Sequence, residues 1–293
     1  MRANRWRHII GHVTSTPRTV LDGLVFPEGA RWHDGALYFS DMHDGVVWRM
    51  TPDGSADRVL ELATQPSGLG WGTDGALRVV SMFDRLLLRV TSAGVETVAD
   101  LSAISPYVIN DMVIDRAGRA YIGTFGCDLN AGDPPVPTQL FCVQPDGAVA
   151  VAAEGIEFPN GAVITPDGRT LIIAETFGKC LSAFDLHEDG TLGDRRLFAT
   201  LDAMPDGICL DAEGAVWVAA LGAQSAIRVI DGGAVTDTIP LPGRDAFACM
   251  LGGADRRDLY ICTARDYNPV VTKAQRGGKI EVVRVAVPGA GLP

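Results

Sequence analysis

FPNGAVITPDGRTLIIAET, residues 158–176, decides the fold. It holds a tight turn (Phe158-Pro159-Asn160-Gly161), an apolar strand, an Asp-Gly hairpin signal at Asp167-Gly168 and a second β-rich strand. The same unit recurs as GARWHDGALYFSD (29–41), GLGWGTDGALRVVS (68–81), DMVIDRAGRAYIGTF (111–125), GICLDAEGAVWVAA (207–220) and CMLGGADRRDLYICTA (249–264). Its turns are Asp34-Gly35, Asp74-Gly75, Ala117-Gly118, Asp167-Gly168, Glu213-Gly214 and a degenerate Arg256-Arg257, and both residues of such a two-residue turn favour positive φ.

Glycine-to-glycine spacings of 40, 43, 50 and 46 residues leave room for four strands per unit, and runs such as VVWRMTPDG and AIRVIDGG supply the additional strands. No segment keeps a 3.6-residue apolar period, so helices should be few. Six such units predict an all-β fold, a six-bladed β-propeller with four-stranded antiparallel blades around a central channel, because radial repetition protects strand edges. GKIEVVRVAV (278–287) should close the ring, joined by an N-terminal strand near residues 8–13 or 20–25. The expected organisation is a lead-in over 1–15 and one domain over 16–293.

Composition excludes several functions. A net charge of -11 disfavours phosphate backbones and anionic membrane surfaces, so neither nucleic acid nor membrane is an expected partner. No apolar run reaches the roughly 18 residues of a membrane helix. The basic N-terminus lacks a small-residue cleavage site. Six scattered cysteines form no CxxC pair and read as buried reduced thiols, which places the chain in the cytoplasm. There is no GxSxG elbow and no phosphate-binding glycine loop. The five histidines fall outside the channel-facing positions, with His33 and His43 expected on solvated turns. A closed ring needs no partner, so a monomer or weak homo-oligomer is expected.

The turn of the opening stretch recurs as FPEG (26–29) and MPDG (204–207), with only its third residue changing between acid and amide. Aligning the hairpin glycines puts Glu28, Ser67, Asn110, Asn160, Asp206 and either Ala248 or Cys249 at equivalent strand entries, seven or eight positions upstream. Equivalent positions of a propeller's innermost strands converge on its axis. Carboxylates and amides gathered there repel unless a cation sits among them. Oxygen donors from Glu28, Asn160 and Asp206, with Asn110 and water, suit Ca²⁺ best, and Mn²⁺, Mg²⁺, Zn²⁺ or Fe²⁺ are also accommodated.

At these residues the chain resembles the SMP-30/gluconolactonase/luciferin-regenerating enzyme (LRE-like) family over nearly its whole length, through PEGARWHDGALYFSD, INDMVIDRAGRAYIGTFG, FPNGAVITPDGRTLIIAET and MPDGICLDAEGAVWVAA. The resemblance implies a six-bladed propeller, a divalent cation held by Glu28, Asn160 and Asp206, an Asn110 that reaches metal or substrate, and hydrolysis of lactones. Sugar-lactonase members often carry an arginine two positions before this asparagine. Here that residue is Val108, and the rim is more apolar, with Tyr107, Ile109, Phe125 and Phe247 as possible wall residues.

The expected activity is metal-dependent opening of a lactone or other carboxylic ester. The cation would polarise the carbonyl, Asp206 would act as general base, and Asn110, Asp111, Tyr107 and Phe125 would contact the substrate. A phosphotriesterase-like hydrolase and a non-catalytic, metal-stabilised binding propeller are the alternatives. The stretch CDLNAGDPPVPT (127–138) reads as a loop that could return over the cavity as a lid or serve as a plain connection, and DAFAC (245–249) could close the opposite side.

Overall fold

A computed structural model describes residues 16–128 and 132–291. Six four-stranded antiparallel sheets form the blades of a β-propeller. Blade one comprises Pro27–His33, Ala36–Asp41, Val46–Met50 and Ala56–Glu61. Blades two to five repeat the pattern, with inner strands Pro66–Trp71, Ile109–Ile114, Pro159–Ile164 and Met204–Leu210. Blade six takes Asp245–Gly252, Asp258–Ala264 and Gly278–Arg284 from the C-terminal end of the chain and Arg18–Leu24 from the other end. Arg18–Leu24 pairs antiparallel with Gly278–Arg284 and so closes the ring. Of the two closing strands expected, the later one is used; the whole 1–15 lead-in, with residues 8–13, lies outside the described residues, as do 129–131 in the loop.

Residue character follows distance from the axis. Inner strands are buried along their length, as in PNGAVI, and are built from small and apolar residues. Outer strands carry charges on their free edges, as in ADRVLE and LGDRRLFAT, where unpaired backbone would otherwise template further strands. Between blades, fully buried Leu37, Phe39, Ile122, Trp217 and Ile261 form the core. Each such side chain contributes about 1.5–3 kcal/mol. The only α-helix among the described residues is Pro269–Gln275, N-capped by Asn268.

The hairpins differ from the expected two-residue turns. Only at Asp34-Gly35 are both residues at positive φ, +46° and +74°. At Gly75, Gly118, Gly168 and Gly214 the glycine alone is left-handed, and its N–H closes a four-residue turn on the carbonyl three residues back. That is a type I turn with a left-handed glycine, which explains why Ala117 and Glu213 are tolerated before it.

All six cysteines are free; five are buried and Cys180 is half-buried. Among the described residues no helix is long and apolar enough to cross a membrane.

Candidate active site

Every inner strand carries an irregularity at the same place. Pairing skips between Glu28 and Arg31, Pro66 and Leu69, Ile109 and Met112, Pro159 and Ala162, Pro205 and Ile208, and Ala246 and Ala248. A bulge adds one residue against the partner strand and re-aims its side chain. The residues so re-aimed are Glu28, Ser67, Asn110, Asn160, Asp206 and, in the sixth blade, Phe247. Ala248 and Cys249 were the expected sixth members; the blade-six bulge lies one position earlier, so a phenyl ring takes that place and Cys249 turns to the Gly207 and Trp217 carbonyls.

The frame's glycine has a steric cause. A Cβ on Gly161 would lie 2.6 Å from Ile208 N and 2.7 Å from Asp206 O, and one on Gly207 would lie 2.7 Å from Ala248 Cα. Neighbouring inner strands approach so closely here that a methyl group has no room. This contact brings Asn160 and Asp206 side by side.

Five of the six re-aimed residues, all but Ser67, line one cavity of about 340 Å³. Ser67 Oγ donates to Asn110 Oδ1 at 2.9 Å, Asn110 Nδ2 to Asn160 Oδ1 at 3.1 Å, Asn160 Nδ2 to Thr176 Oγ1 at 3.1 Å, and Thr176 Oγ1 to the Pro205 carbonyl at 2.9 Å. This chain crosses blades two to five and fixes the rotamers of the cavity floor. Asn160 also hydrogen-bonds Asp206, and Asp206 hydrogen-bonds Glu28. Glu28 Oε2 accepts from Gly29 N at 2.6 Å.

Burial pushes Glu28 well above the usual carboxylate range, helped by the charges of Asp206 and Asp111. Burial, then the Asp111 charge, pushes Asp206 up as well. Asp111 sits at the glycine position of blade three and does not line the cavity, contrary to its expected contact with substrate. Its Oδ1 instead accepts from Arg31 Nη2 at 2.8 Å, both side chains being nearly fully buried. Asp111 Oδ2 is buried with no protein partner. One guanidinium, paired with Asp111, serves three buried carboxyls, and burial favours the neutral form of the other two, so Glu28 and Asp206 would both carry charge only with a further cation among these oxygen donors.

Above this floor the wall is apolar. Phe26 and Phe158, the first residues of their frames, stack into it with Met204 of MPDG, so one frame supplies both a wall group and a floor group. Phe125 packs edge-on against Phe158 at 4.4 Å, and Phe158 lies 5.0 Å from Phe177. Phe158 is held at φ +61°, a left-handed conformation rare for a bulky side chain and typical of over-determined functional positions.

The sequence reading missed His43. It is not a solvated turn residue: it is buried, stacks on Phe26 at 4.4 Å, contacts Thr272 Oγ1 through Nδ1 at 2.7 Å and lines the same cavity. Burial, with Lys273 adding repulsion, lowers its pKa to about 4, so the ring is neutral at pH 7. His33 is half-buried on the opposite face, stacked on Trp71 at 3.9 Å. Tyr107 also stands off the cavity; its carbonyl accepts from Ser105 Oγ. Asn110 and Phe125 do line it. The described part of the 127–138 loop folds back on itself, Val136 N donating to the Gly126 carbonyl, and none of it lines the cavity. A larger hollow of about 530 Å³ lies at the other mouth of the channel, among the hairpins, where Asp115 is paired with Arg119 and no comparable set of oxygen donors converges.

Residues 26–265 match the family described as SMP-30/Gluconolactonase/LRE-like region. The chain is similar to regucalcin of Danio rerio, 29% identical over 188 residues; the match covers 61% of this chain and 63% of the relative, under two thirds of its length. It is similar to 6-deoxy-6-sulfogluconolactonase of Pseudomonas putida, 28% identical over 266 residues, covering 88% of this chain and 89% of the relative. Among solved structures, a calcium-binding regucalcin from Agrobacterium tumefaciens strain C58 has a TM-score of 0.79 at 22% identity, covering 95% of this chain and 96% of that one, a likeness that bears on the fold. The family match spans most of the sequence and includes all six bulged strands, and the chain belongs to the SMP-30/gluconolactonase/LRE-like family.

Proposed function

We propose that this protein is a metal-dependent hydrolase that opens lactones. The carrying observation is the floor of the 340 Å³ cavity, where Glu28, Asn160 and Asp206 from three blades meet and the nearby guanidinium of Arg31 is paired with Asp111 instead. Relatives named as lactonases support the same reading. Glu28, Asn160 and Asp206 would hold a divalent cation; hard oxygen donors fit Ca²⁺ best, with Mn²⁺, Mg²⁺, Zn²⁺ or Fe²⁺ also accommodated. When bound, such an ion supplies Lewis-acid polarisation of the ester carbonyl, typically worth several kcal/mol.

The chain's own residues supply the rest. Asp206 takes the proton from the attacking water, a role worth about 10² to 10⁴ in rate. Asn110, locked between Ser67 and Asn160, orients the substrate at the floor. Phe125 and the wall around it exclude bulk water, which strengthens every polar contact beneath. Chelation should abolish lactone hydrolysis and readdition of a divalent ion restore it. Asp206→Asn should retain the ion by calorimetry yet lose about 10² to 10⁴ in kcat. Full activity in the chelated protein, or an unchanged kcat in the variant, refutes the assignment.

A further inference from the structure

Resting on the lactone-hydrolase reading above, we infer that the substrate is an uncharged lactone carrying an alkyl or aryl substituent, with the ester on the oxygen-donor floor and the substituent against the phenylalanine wall. The argument starts from which polar atoms of the cavity are free. Asn110 has both amide ends engaged, by Ser67 and Asn160. Thr176 accepts from Asn160 and donates to Pro205. On the wall, His43 Nδ1 is taken by Thr272, and Asn268 Oδ1 caps the helix at Val270 N. The polar side-chain capacity left outside the floor is one ring nitrogen of His43, the Gln65 amide, the Asn268 amide nitrogen and the Tyr267 hydroxyl at the rim.

A polyhydroxylated lactone needs a partner for each hydroxyl it brings out of water, and each one left bare typically lowers affinity by a factor of about 5 to 150. The wall offers phenyl rings in those directions. Phe26, Phe158 and Phe177 ring the cavity with Phe125, and Phe247 takes the position that an oxygen or amide group fills in the other five blades. Among the described residues no lysine or arginine lines the cavity, so an anionic substituent finds no counter-charge there. The volume of about 340 Å³ falls in the lower part of the range for small-ligand pockets. It has space for a side chain beyond a six-membered ring.

The test compares kcat/KM for three δ-lactones on the metal-loaded protein: δ-valerolactone, δ-decalactone with its pentyl chain, and glucono-δ-lactone. Burying a methylene is worth roughly fourfold. The pentyl chain should therefore raise kcat/KM by about 10² or more over the unsubstituted ring, and glucono-δ-lactone should be the poorest of the three. Phe177→Ser, at a half-buried loop position, should shrink the decalactone-to-valerolactone ratio by about tenfold. A glucono-δ-lactone value equal to or above that of δ-decalactone overturns the inference and leaves the hydrolase reading standing. Should no lactone be hydrolysed above the buffer rate, the hydrolase reading fails. Calorimetry with the corresponding non-hydrolysable δ-lactams then still decides the ligand class: tighter binding of the pentyl lactam supports it, and tighter binding of the polyhydroxylated lactam overturns it.

Discussion

Gly161→Ala isolates the contact on which the site's geometry depends. The added Cβ would stand 2.6 to 2.7 Å from three consecutive backbone positions of the next blade, Asp206 O, Gly207 Cα and Ile208 N, where ordinary contact begins near 3.4 Å. Backbone atoms cannot rotate away, so the two inner strands must part by roughly 0.8 Å. Overpacking of this kind costs about 1–3 kcal/mol, and the upper end applies because one methyl group meets three fixed atoms. For a chain of this size that is a fall in Tm of about 6 °C. The strand that moves carries Asp206, and a shift of about 1 Å at a reacting group costs on the order of 10²-fold in rate. Gly168→Ala is the control, since its hairpin glycine sits at φ +74° with open space around the missing Cβ. There the cost is backbone conformation alone, about 1–2 kcal/mol, with no displacement of the floor. Thermal melts and lactone kinetics on both variants separate the two effects: similar losses of stability, but a loss of turnover in Gly161→Ala alone. A Gly161→Ala protein with parental turnover and a Tm within about 1 °C of parent would show that the inner strands are not held at the separation argued here.

Two further outcomes follow from buried charge. Arg31→Met should destabilise by about 3–5 kcal/mol, because Asp111 loses its one buried counter-charge beside Glu28 and Asp206. Added Ca²⁺ should then raise the variant's Tm more than the parent's; equal shifts would disconnect Arg31 from the cation site. His43 stays neutral in the fold, with a pKa near 4 from burial and the Lys273 charge, whereas in the unfolded chain it titrates near 6.5. Between those values the unfolded state binds the extra proton, so this contribution is complete above pH 6.5 and is lost as pH falls to about 4. It amounts to about 3 kcal/mol at most. Urea unfolding of parent and His43→Phe from pH 4.5 to 7 should show the difference between them changing across that window. Parallel profiles would contradict a buried neutral imidazole.

The fold was legible because repetition multiplies weak signals: one Asp-Gly is a turn, but three of them with two further Xaa-Gly turns, spaced 40 to 50 residues apart, mark a ring. The floor was legible for the same reason, since Glu28, Asn160 and Asp206 occupy one slot of a repeat. What lay in the loops beyond that slot was not. His43 comes from the loop between the second and third strands of blade one, where the equivalent loops of blades two and four carry Phe83 and Phe177, and its stacking on Phe26 and contact with Thr272 hold it at the cavity. Asp111 looked like a substrate contact from its neighbour Asn110, but it takes the glycine position of the frame and Arg31, 2.8 Å away, claims its carboxylate. Phe247 was expected on the wall, but its place in the sixth slot of the repeat went to Ala248 or Cys249 because the blade-six bulge is shorter by one residue, a register detail that apolar pattern alone does not encode.

The four-residue frame divides its tasks in a way that accounts for what varies and what does not. Its second residue enters the strand, and its fourth must be small wherever a neighbouring blade lies within 2.7 Å, as at Gly29, Gly68, Gly161 and Gly207. The first and third residues are free of both demands, and they are the ones that meet the cavity: Phe26 with Glu28, Phe158 with Asn160, Met204 with Asp206. Under the proposed function, substitutions at the third position would alter the floor's affinity for a cation, and those at the first would alter what the wall accepts. Such a separation lets one scaffold keep its hydrolytic floor while the substrate changes. It follows that exchanging the half-buried Met204 for a polar residue should shift the ranking of lactones with little change in Tm, whereas the same exchange at Gly161 should cost the fold itself.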